Sequence, residues 1–445
     1  MFNTNHINID KKRFIVLCGL GFVVGITFLF YFQPYLVQHR KSVITIGVIG
    51  DILFHKENQI QAFSKGSYNS IWNHVAHHFE QFDIVFANYE GVSANVIRLP
   101  NGSCSVVNEY KSEYGHIFRS WEIYKYKPNT PNIFNYHTML ARDLKQSGIG
   151  LVSIANNHIL DLCNVGLIQT MKGLKFAELP FIGGRMNSSE EWYKTTTIRG
   201  YDIAWIGCTV FTNWHDDETD NLLYCNNPIF LKLISKLNRL YEVVVTIHGG
   251  KENSYGPGKS TQRLVFNALQ EGAMLVICNH PHVAQPVEVF KIHNRRTAVI
   301  WSVGNFISHQ GYGLIPNASS KSLSIVPDVR TRSSGIIKFQ FKPFENGLEF
   351  DCFDYVPTCV ECVKTKEDYE YFVRDVREAD CENEGRWLRN VWGDWGACRA
   401  LEENLMLGLK WRAMKSPTKP APKLQGNGKC LRDVNVFNYV SQTFE

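Results

Sequence analysis

A chain of 445 residues can bury a large core and accommodate two or three domains. Its 44% hydrophobic, 13% aromatic and 20% charged content excludes a disordered polypeptide. The formal charge of +5 is small for this length and forms no basic block, which removes the electrostatic case for a nucleic-acid partner.

Residues 14–32 are an uncharged run of 19, rich in Phe, Ile, Val, Leu and Gly, long enough to cross the hydrocarbon core of a bilayer. Lys11, Lys12 and Arg13 precede it; Arg40 and Lys41 follow a Gln33-Pro34 break. The run is long for the apolar core of a cleaved signal, and no small-residue cleavage pattern follows, so a transmembrane signal anchor is expected. Residues 1–13 then form a short cytoplasmic N-terminus and the body lies outside the cytosol, lumenal or extracellular. Of 12 cysteines, Cys18 falls inside the anchor, which leaves an odd eleven. Cys359 and Cys362 form a C-x-x-C with no second pair, so disulfides in an oxidising compartment are expected in preference to a zinc ribbon. Sequons at Asn101, Asn187 and Asn317 fit an extracytoplasmic glycoprotein in a host that glycosylates.

After the anchor, residues 43–51 read as a buried strand ending in Gly50-Asp51. A polar helical stretch follows, in which Trp72, His74, His77 and His78 have the spacing of a wetted face. Residues 82–91 repeat the first pattern, a short apolar strand running into Asn88, Glu90 and Gly91. Residues 92–131, with much Tyr, Asn, Ser and Lys and little periodicity, read as a long inserted loop over a site. An amphipathic helix over 139–147 and the glycines Gly148 and Gly150 lead to the strand 151–155, which stops abruptly at Asn156, Asn157, His158 and Asp161. A helix from about Gly166 places Leu167, Thr170, Met171 and Leu174 on one face. Short strands follow at 179–184 and 203–208, and a helix around 230–240 leads into the strand that ends in His248. A helix over 262–270 precedes the strand of 274–282, which runs into His280 and His282. The run 298–306 reads as a strand ending in Gly304-Asn305, and late strands at 335–341 and 348–356 close the domain.

What recurs is a strand whose carboxyl end is polar, and in open α/β sheets that end is where ligands bind. Taken alone, Asn156 and Asn157 have an ordinary reading as helix caps, with His158 packed beneath. Together, Asp51, Glu90, Asn157, His248, His280 and His282 bring two carboxylates, an amide and three imidazoles to one sheet edge. That donor set suits two divalent ions such as Mn²⁺, Fe²⁺ or Zn²⁺.

These stretches, in this order, resemble the CapA family, the poly-gamma-glutamate capsule-synthesis type of the calcineurin-like metallophosphoesterase superfamily. Gly50-Asp51 is similar to its opening Gly-Asp, and Asn88-Tyr89-Glu90-Gly91 to its Asn-Leu-Glu-Gly. Ala155-Asn156-Asn157-His158, with Asp161 and Gly166, resembles its Ala-Asn-Asn-His block. His248-Gly249-Gly250-Lys251-Glu252 is similar to its His-Trp-Gly-x-Glu, and His280-Pro281-His282, with Gln285 and Glu288, to its His-Pro-His-Val-x-Gln block. Trp301-Ser302-Val303-Gly304-Asn305-Phe306 resembles its Tyr-Ser-Leu-Gly-Asn-Phe. The sequence departs from the pattern at Gly249 (Trp in the family), Asn253 (Tyr) and Cys278-Asn279 (Gly-His), each beside a proposed ligand.

The resemblance implies an α/β metallophosphatase-like sandwich of two mixed β-sheets flanked by helices over 43–356. It leaves 357–445 uncovered, a Cys- and Trp-containing C-terminal extension with helical segments that reads either as an appendage for docking a protein partner or equally as a disulfide-stabilised cap. It implies Asp51, Glu90, Asn157, His248, His280 and His282 as ligands of two divalent ions, with Glu90 as the bridge. His158 becomes the acid for the leaving group and Asp161 its orienter, while Asn88, Asn156, Glu252 and Asn305 support the ligands. The expected activity is metal-dependent hydrolysis of a phosphoester or of gamma-glutamyl polymer through an activated water. The competing reading is a membrane-tethered binding or assembly protein that keeps the fold without turnover, and the three departures motivate it.

Overall fold

The computed structural model describes residues 42–99, 101–106, 133–214, 220–310, 329–345, 347–365, 369–379, 388, 391 and 437–438. The expected anchor at 14–32, the sequon at Asn317, most of the loop at 92–131 and nearly all of the tail beyond residue 379 lie outside the described residues. No helix among the described residues is long and apolar enough to cross a membrane.

The elements in chain order are β1 (Ile44–Ile52), α1 (Lys56–Ser64), α2 (Asn73–Ala76), β2 (Ile84–Tyr89), β3 (Val96–Arg98) and β4 (Cys104–Val106). Next come α3 (Met139–Gln146), β5 (Leu151–Ser153), α4 (Cys163–Phe176), β6 (Phe181–Ile182), β7 (Tyr193–Ile198) and β8 (Tyr201–Thr209). The second half holds α5 (Pro228–Leu237), β9 (Glu242–His248), α6 (Lys259–Gln270), β10 (Ala273–Asn279), β11 (Gln285–Ile292), β12 (Arg295–Ser302) and β13 (Asn305–Ile307). It closes with β14 (Ser333–Phe344), β15 (Gly347–Lys364), β16 (Tyr369–Asp375) and β17 (Phe437–Asn438).

Two mixed sheets result, in the orders β16-β15-β14-β1-β2-β5-β6 and β17-β11-β12-β10-β9-β8-β7, with β13 added alongside β1. In each sheet the central strands are parallel: β1, β2, β5 and β6 in one, β8, β9, β10 and β12 in the other. Their carboxyl ends therefore share one edge.

The continuous apolar runs have a direct cause, because each central strand is covered on both faces. In β10, Leu275 and Ile277 belong to the core between the sheets, with Phe86, Trp205 and Phe339. Val276 and Cys278 belong to the core beneath α5 and α6. A third core under α3 and α4 covers the outer face of the first sheet. The helices bury the faces that their spacing sets: Leu167, Thr170, Met171 and Leu174 in α4, and Phe230, Leu233, Ile234 and Leu237 in α5. Asn227 starts α5 by accepting from Ile229 N at 3.0 Å, followed by Pro228 in the first turn.

Four expectations are corrected. The run 298–306 is two strands rather than one: β12 ends in the second sheet, and the chain crosses at Val303-Gly304 to pair β13 with β1. Gly50 permits that crossing, since a Cβ there would stand 1.9 Å from Gly304 O, where Asp51 N donates at 2.9 Å. The polar stretch after β1 is not one helix but α1, α2 and two 3-10 turns; His74 and His77 are exposed as expected, but Trp72, expected on the same wetted face, is buried, its indole N–H donating to Ser147 Oγ at 2.9 Å. β15 runs through residue 356 to Lys364 and β16 extends the same sheet, so the described start of the extension is strand, not helix. The alternating burial of Tyr369–Asp375 reflects a strand with one covered face. Finally, β7, β11 and the hairpin β3–β4 went unread: β7 is an edge strand, β3–β4 a separate two-stranded sheet, and β11, though largely buried, mixes polar residues with apolar ones.

Two disulfides are described, Cys104–Cys163 and Cys208–Cys225, and Cys359 is also oxidised in one. The first ties the β3–β4 hairpin to the start of α4, two residues after Asp161.

Candidate metal centre

Each predicted ligand leaves a strand end and points into one buried cluster. Asp51 and Glu90 are both 0% exposed, His248 and His282 2%, and His280 3%. Three overlapping donor groups form, in which one ligand atom per residue lies within 4.8 Å of the others: Glu90, His248 and His280; Asp51, Glu90 and His282; and Glu252, His280 and His282. Glu90, His280 and His282 each belong to two of these, and of the three only the Glu90 carboxylate has two oxygens to share between neighbouring ions. Asn157 joins the first group through Oδ1, 2.8 Å from His248 Nε2. Glu252, read from the sequence as a supporting residue, is exposed at the rim, yet it comes within the same reach of His280 and His282.

A direct test of fit to a cation comes from the atoms that lack hydrogen bonds. Asp51 Oδ2, Glu90 Oε1 and His280 Nδ1 are buried without a hydrogen-bond partner. Asp51 Oδ2 faces His282 Nδ1 at 3.3 Å, and Glu90 Oε1 faces His248 Nε2 at 3.7 Å and His282 Nε2 at 3.8 Å. Two ligands at roughly 2.1 Å from one ion stand roughly 3.0–3.4 Å apart at octahedral to tetrahedral angles, so the Glu90–His248 and Glu90–His282 gaps through Nε2 are slightly wider than those of donors closed on an ion, while His282 Nδ1 is the nitrogen engaged by Asn305. Neutral side-chain atoms such as Thr246 Oγ1 and Thr358 Oγ1 are also buried without a partner, but two unpaired carboxylate oxygens facing one cluster call for a cation. The donor set and its unsatisfied atoms fit two divalent ions.

Electrostatics point the same way. Burial, then the neighbouring Asp51 carboxylate, pushes the Glu90 carboxyl well above the usual range. Burial, with His280 and His282, holds His248 well below the usual imidazole range; burial, then His282, lowers His280 to about 3. Burial acts against the charged form of His282 as well, but Glu90 and Asp51 outweigh it and raise this group to about 10. The cluster thus holds His282 cationic while burial and the neighbouring carboxylate drive Glu90 towards its neutral form.

Supporting groups hold the ligands in place. Asn88 Nδ2 donates to Asp51 Oδ1 at 2.8 Å and to Glu90 Oε2 at 3.2 Å. Asn279 Nδ2 donates to Asp51 Oδ1 at 2.9 Å, so this departure from the family pattern keeps a polar partner for the ligand. Asn305 Oδ1 lies 2.9 Å from His282 Nδ1, and Tyr136 donates its hydroxyl to Glu90 O. Asn156 shapes the turn after β5: its Nδ2 donates to Tyr89 O at 2.7 Å and its Oδ1 accepts from His158 N at 3.1 Å. Both His280 (φ 101°) and His282 (φ 59°) have left-handed backbones, the strained geometry that persists where surrounding structure imposes it. Asn253 is also left-handed at φ 57°, a conformation Asn adopts more readily than the family's Tyr.

His158 stands apart from the donor groups. Its Nδ1 is 2.9 Å from Asp161 Oδ2, and Phe134 closes against its ring at 4.6 Å and also donates its backbone N–H to Asp161 Oδ2 at 2.8 Å. Burial raises the Asp161 carboxyl, while the adjacent His158 and the Phe134 N–H favour its ionised form. Arg98, from β3, donates to the carbonyls of Leu160 and Asp161 at 2.8 and 2.7 Å and fixes this turn from the hairpin side.

Phe134, Tyr136 and Arg98 escaped sequence reading. They sit on loops or an edge hairpin, without the strand-end pattern that marked the ligands.

The family described as bacterial capsule synthesis protein PGA_cap matches residues 45–310. The capsule biosynthesis protein CapA of Bacillus anthracis is 24% identical over 335 residues, 73% of this chain and 70% of that protein. The PGA biosynthesis protein CapA of Bacillus subtilis (strain 168) is 22% identical over 346 residues, 76% of this chain and 78% of that one. Among solved structures, the calcineurin-like phosphoesterase YfkN from Bacillus subtilis is similar with TM-score 0.34 and 12% identity, covering 79% of this chain and 97% of that chain. A hypothetical protein from Thermus thermophilus has TM-score 0.36 and 13% identity, over 71% and 98%.

Proposed function

Because the chain belongs to the bacterial capsule synthesis protein family PGA_cap, we propose that it is a membrane-anchored, metal-dependent hydrolase of capsule biosynthesis, acting on a phosphoester or on gamma-glutamyl polymer. The observation that carries this reading is the pair of buried carboxylate oxygens, Asp51 Oδ2 and Glu90 Oε1, left without hydrogen bonds opposite imidazole nitrogens at 3.3–3.8 Å. Asp51, Glu90 and His282 would hold one ion; Glu90, Asn157, His248 and His280 would hold the other. When bound, such ions supply Lewis acidity and make water nucleophilic near neutral pH.

The chain's own groups perform the remaining steps. Asp161 accepts from His158 Nδ1–H, which orients the ring, and His158 Nε2 then gives a proton to the departing oxygen or nitrogen. Phe134, packed edge-on against the ring, limits water on that side. The disulfides support the proposed extracytoplasmic location, since such bonds persist in oxidising compartments. The run 14–32 supplies the proposed membrane anchor.

Elemental analysis of the purified full chain, followed by assay on an aryl phosphodiester and on poly-gamma-glutamate, tests the reading. Two equivalents of divalent metal with turnover on either substrate is the expected result. Two equivalents without turnover on both would replace it with the non-catalytic binding protein, and absence of bound metal would remove the centre itself.

A further inference from the structure

The ligands of the second ion come from both sheets: Asn157 follows β5 in the first, and His248 ends β9 in the second. A short strap after β8, residues 210–213, joins them. Val210 N donates to His248 O at 2.9 Å, and Asn213 N donates to Asn157 O at 2.8 Å. The strap is anchored at its origin. Cys208 is bonded to Cys225, Cys225 N donates to Thr209 O at 2.8 Å, and Thr209 Oγ1 donates to Phe211 O at 2.7 Å. Phe211 then packs edge-on against His280, with ring centroids 5.0 Å apart. Gly249 makes room for the strap, since a Cβ there would meet Val210 Cγ2 at 2.4 Å.

Asn213 is the polar tip of this strap. Its Oδ1 accepts from Asn157 Nδ2 at 3.2 Å, while Asn157 Oδ1 points the other way, 2.8 Å from His248 Nε2. Its Nδ2 lies 3.3 and 3.4 Å from the two ring nitrogens of His158. Nearly equidistant from both nitrogens, it lies over the face of the ring and packs there without occupying Nε2. An asparagine binds a cation only through its oxygen, so an amide rotated by half a turn would present NH₂ and lose the ion. The Asn213 acceptor on the far side of Asn157 opposes that rotation.

We propose that Asn213 is a positioning residue of the metal centre: it locks the Asn157 amide with its oxygen towards the donor cluster and braces the His158 ring. The inference rests on the two-ion reading above, and it is read by metal affinity without any need for turnover. Mn²⁺ alone would be titrated calorimetrically into chelator-treated full-length wild type, Asn213→Ala and Asn213→Asp. Asn213→Ala removes the lock, and the affinity of one of the two ions should fall about 10–100-fold, the usual cost of losing an outer partner of a ligand. Asn213→Asp keeps the acceptor for Asn157 Nδ2 and should bind both ions at least as tightly as wild type. Because Asn213 is exposed, the metal-free melting temperatures of the variants should match wild type.

Wild-type affinity for both ions in Asn213→Ala overturns the proposal. An equal loss in both variants, or a loss of both ions together with a lowered metal-free melting temperature, overturns it too, since a general structural role gives that pattern. Failure of wild type to bind Mn²⁺ sinks this inference together with the centre, whereas two bound ions without turnover sink only the hydrolase.

Discussion

Glu90→Gln should invert the order of stability between the metal-free and metal-loaded protein. In the metal-free state Glu90 is fully buried, its Oε1 has no hydrogen bond, and it shares one cationic imidazole, His282, with Asp51. A neutral isostere removes the surplus charge and leaves the Asp51–His282 pair at 3.3 Å intact. Relief of such a buried charge is expected to stabilise by about 1–4 kcal/mol at pH 7. The sign follows from linkage: a carboxyl raised on folding contributes stability below its unfolded value, and this is lost as pH rises through the folded value. The advantage of Gln should therefore vanish below roughly pH 4 and grow as pH rises. Metal reverses the order. At 100 times Kd each ion adds about 2.7 kcal/mol, so two ions add about 5.5 kcal/mol to wild type. For a folded unit of roughly 300 residues this corresponds to a rise in Tm of roughly 9 °C. Glu90 serves two donor groups, so the variant loses the ligand common to both ions and should shift by less than half as much. Scanning calorimetry with chelator and with Mn²⁺ measures both states. A metal-free variant less stable than wild type, or one that gains the full Mn²⁺ shift, would refute the bridge.

Three further outcomes are expected. His282 stays protonated up to about 10 without metal, so binding must expel that proton; Mn²⁺ affinity should rise with pH across neutrality, and calorimetry in buffers of different ionisation enthalpy should detect the release. His158→Ala should keep both ions but lose roughly two to four powers of ten in turnover on poor leaving groups and much less on good ones; an equal loss on both would make the residue structural. Replacing Cys104 and Cys163 by Ser opens a loop whose ends are 59 residues apart and should cost about 4 kcal/mol in the chain-entropy account, against about 3 kcal/mol for the 17-residue separation of Cys208 and Cys225. Denaturant midpoints of the two double variants test that order.

The proposed ligands were legible in the sequence because their signal is local. An apolar run such as 274–278, ending in Asn279 and two histidines, declares a doubly covered strand and its polar end within a few residues. Six such endings in order, with the family motifs, sufficed to assign Asp51, Glu90, Asn157, His248, His280 and His282 to one edge, and the structure brings all six together. The helices α4 and α5 were legible for the same reason, since 3.6-residue spacing of apolar side chains records a buried face.

Only tertiary structure decided which ends face each other and what holds them. The crossing at Gly304 that sends β13 to the other sheet leaves no trace in periodicity, because both halves are buried strand. Arg98, Phe134 and Asn213 lie far from Asp161 and Asn157 in sequence or on surface loops, and their roles come from contacts that no spacing rule encodes. Hydrophobic patterning determines each element by its own residues, whereas the packing of two sheets determines how the ends of β5 and β9 meet; the proposed metal centre lies at that junction.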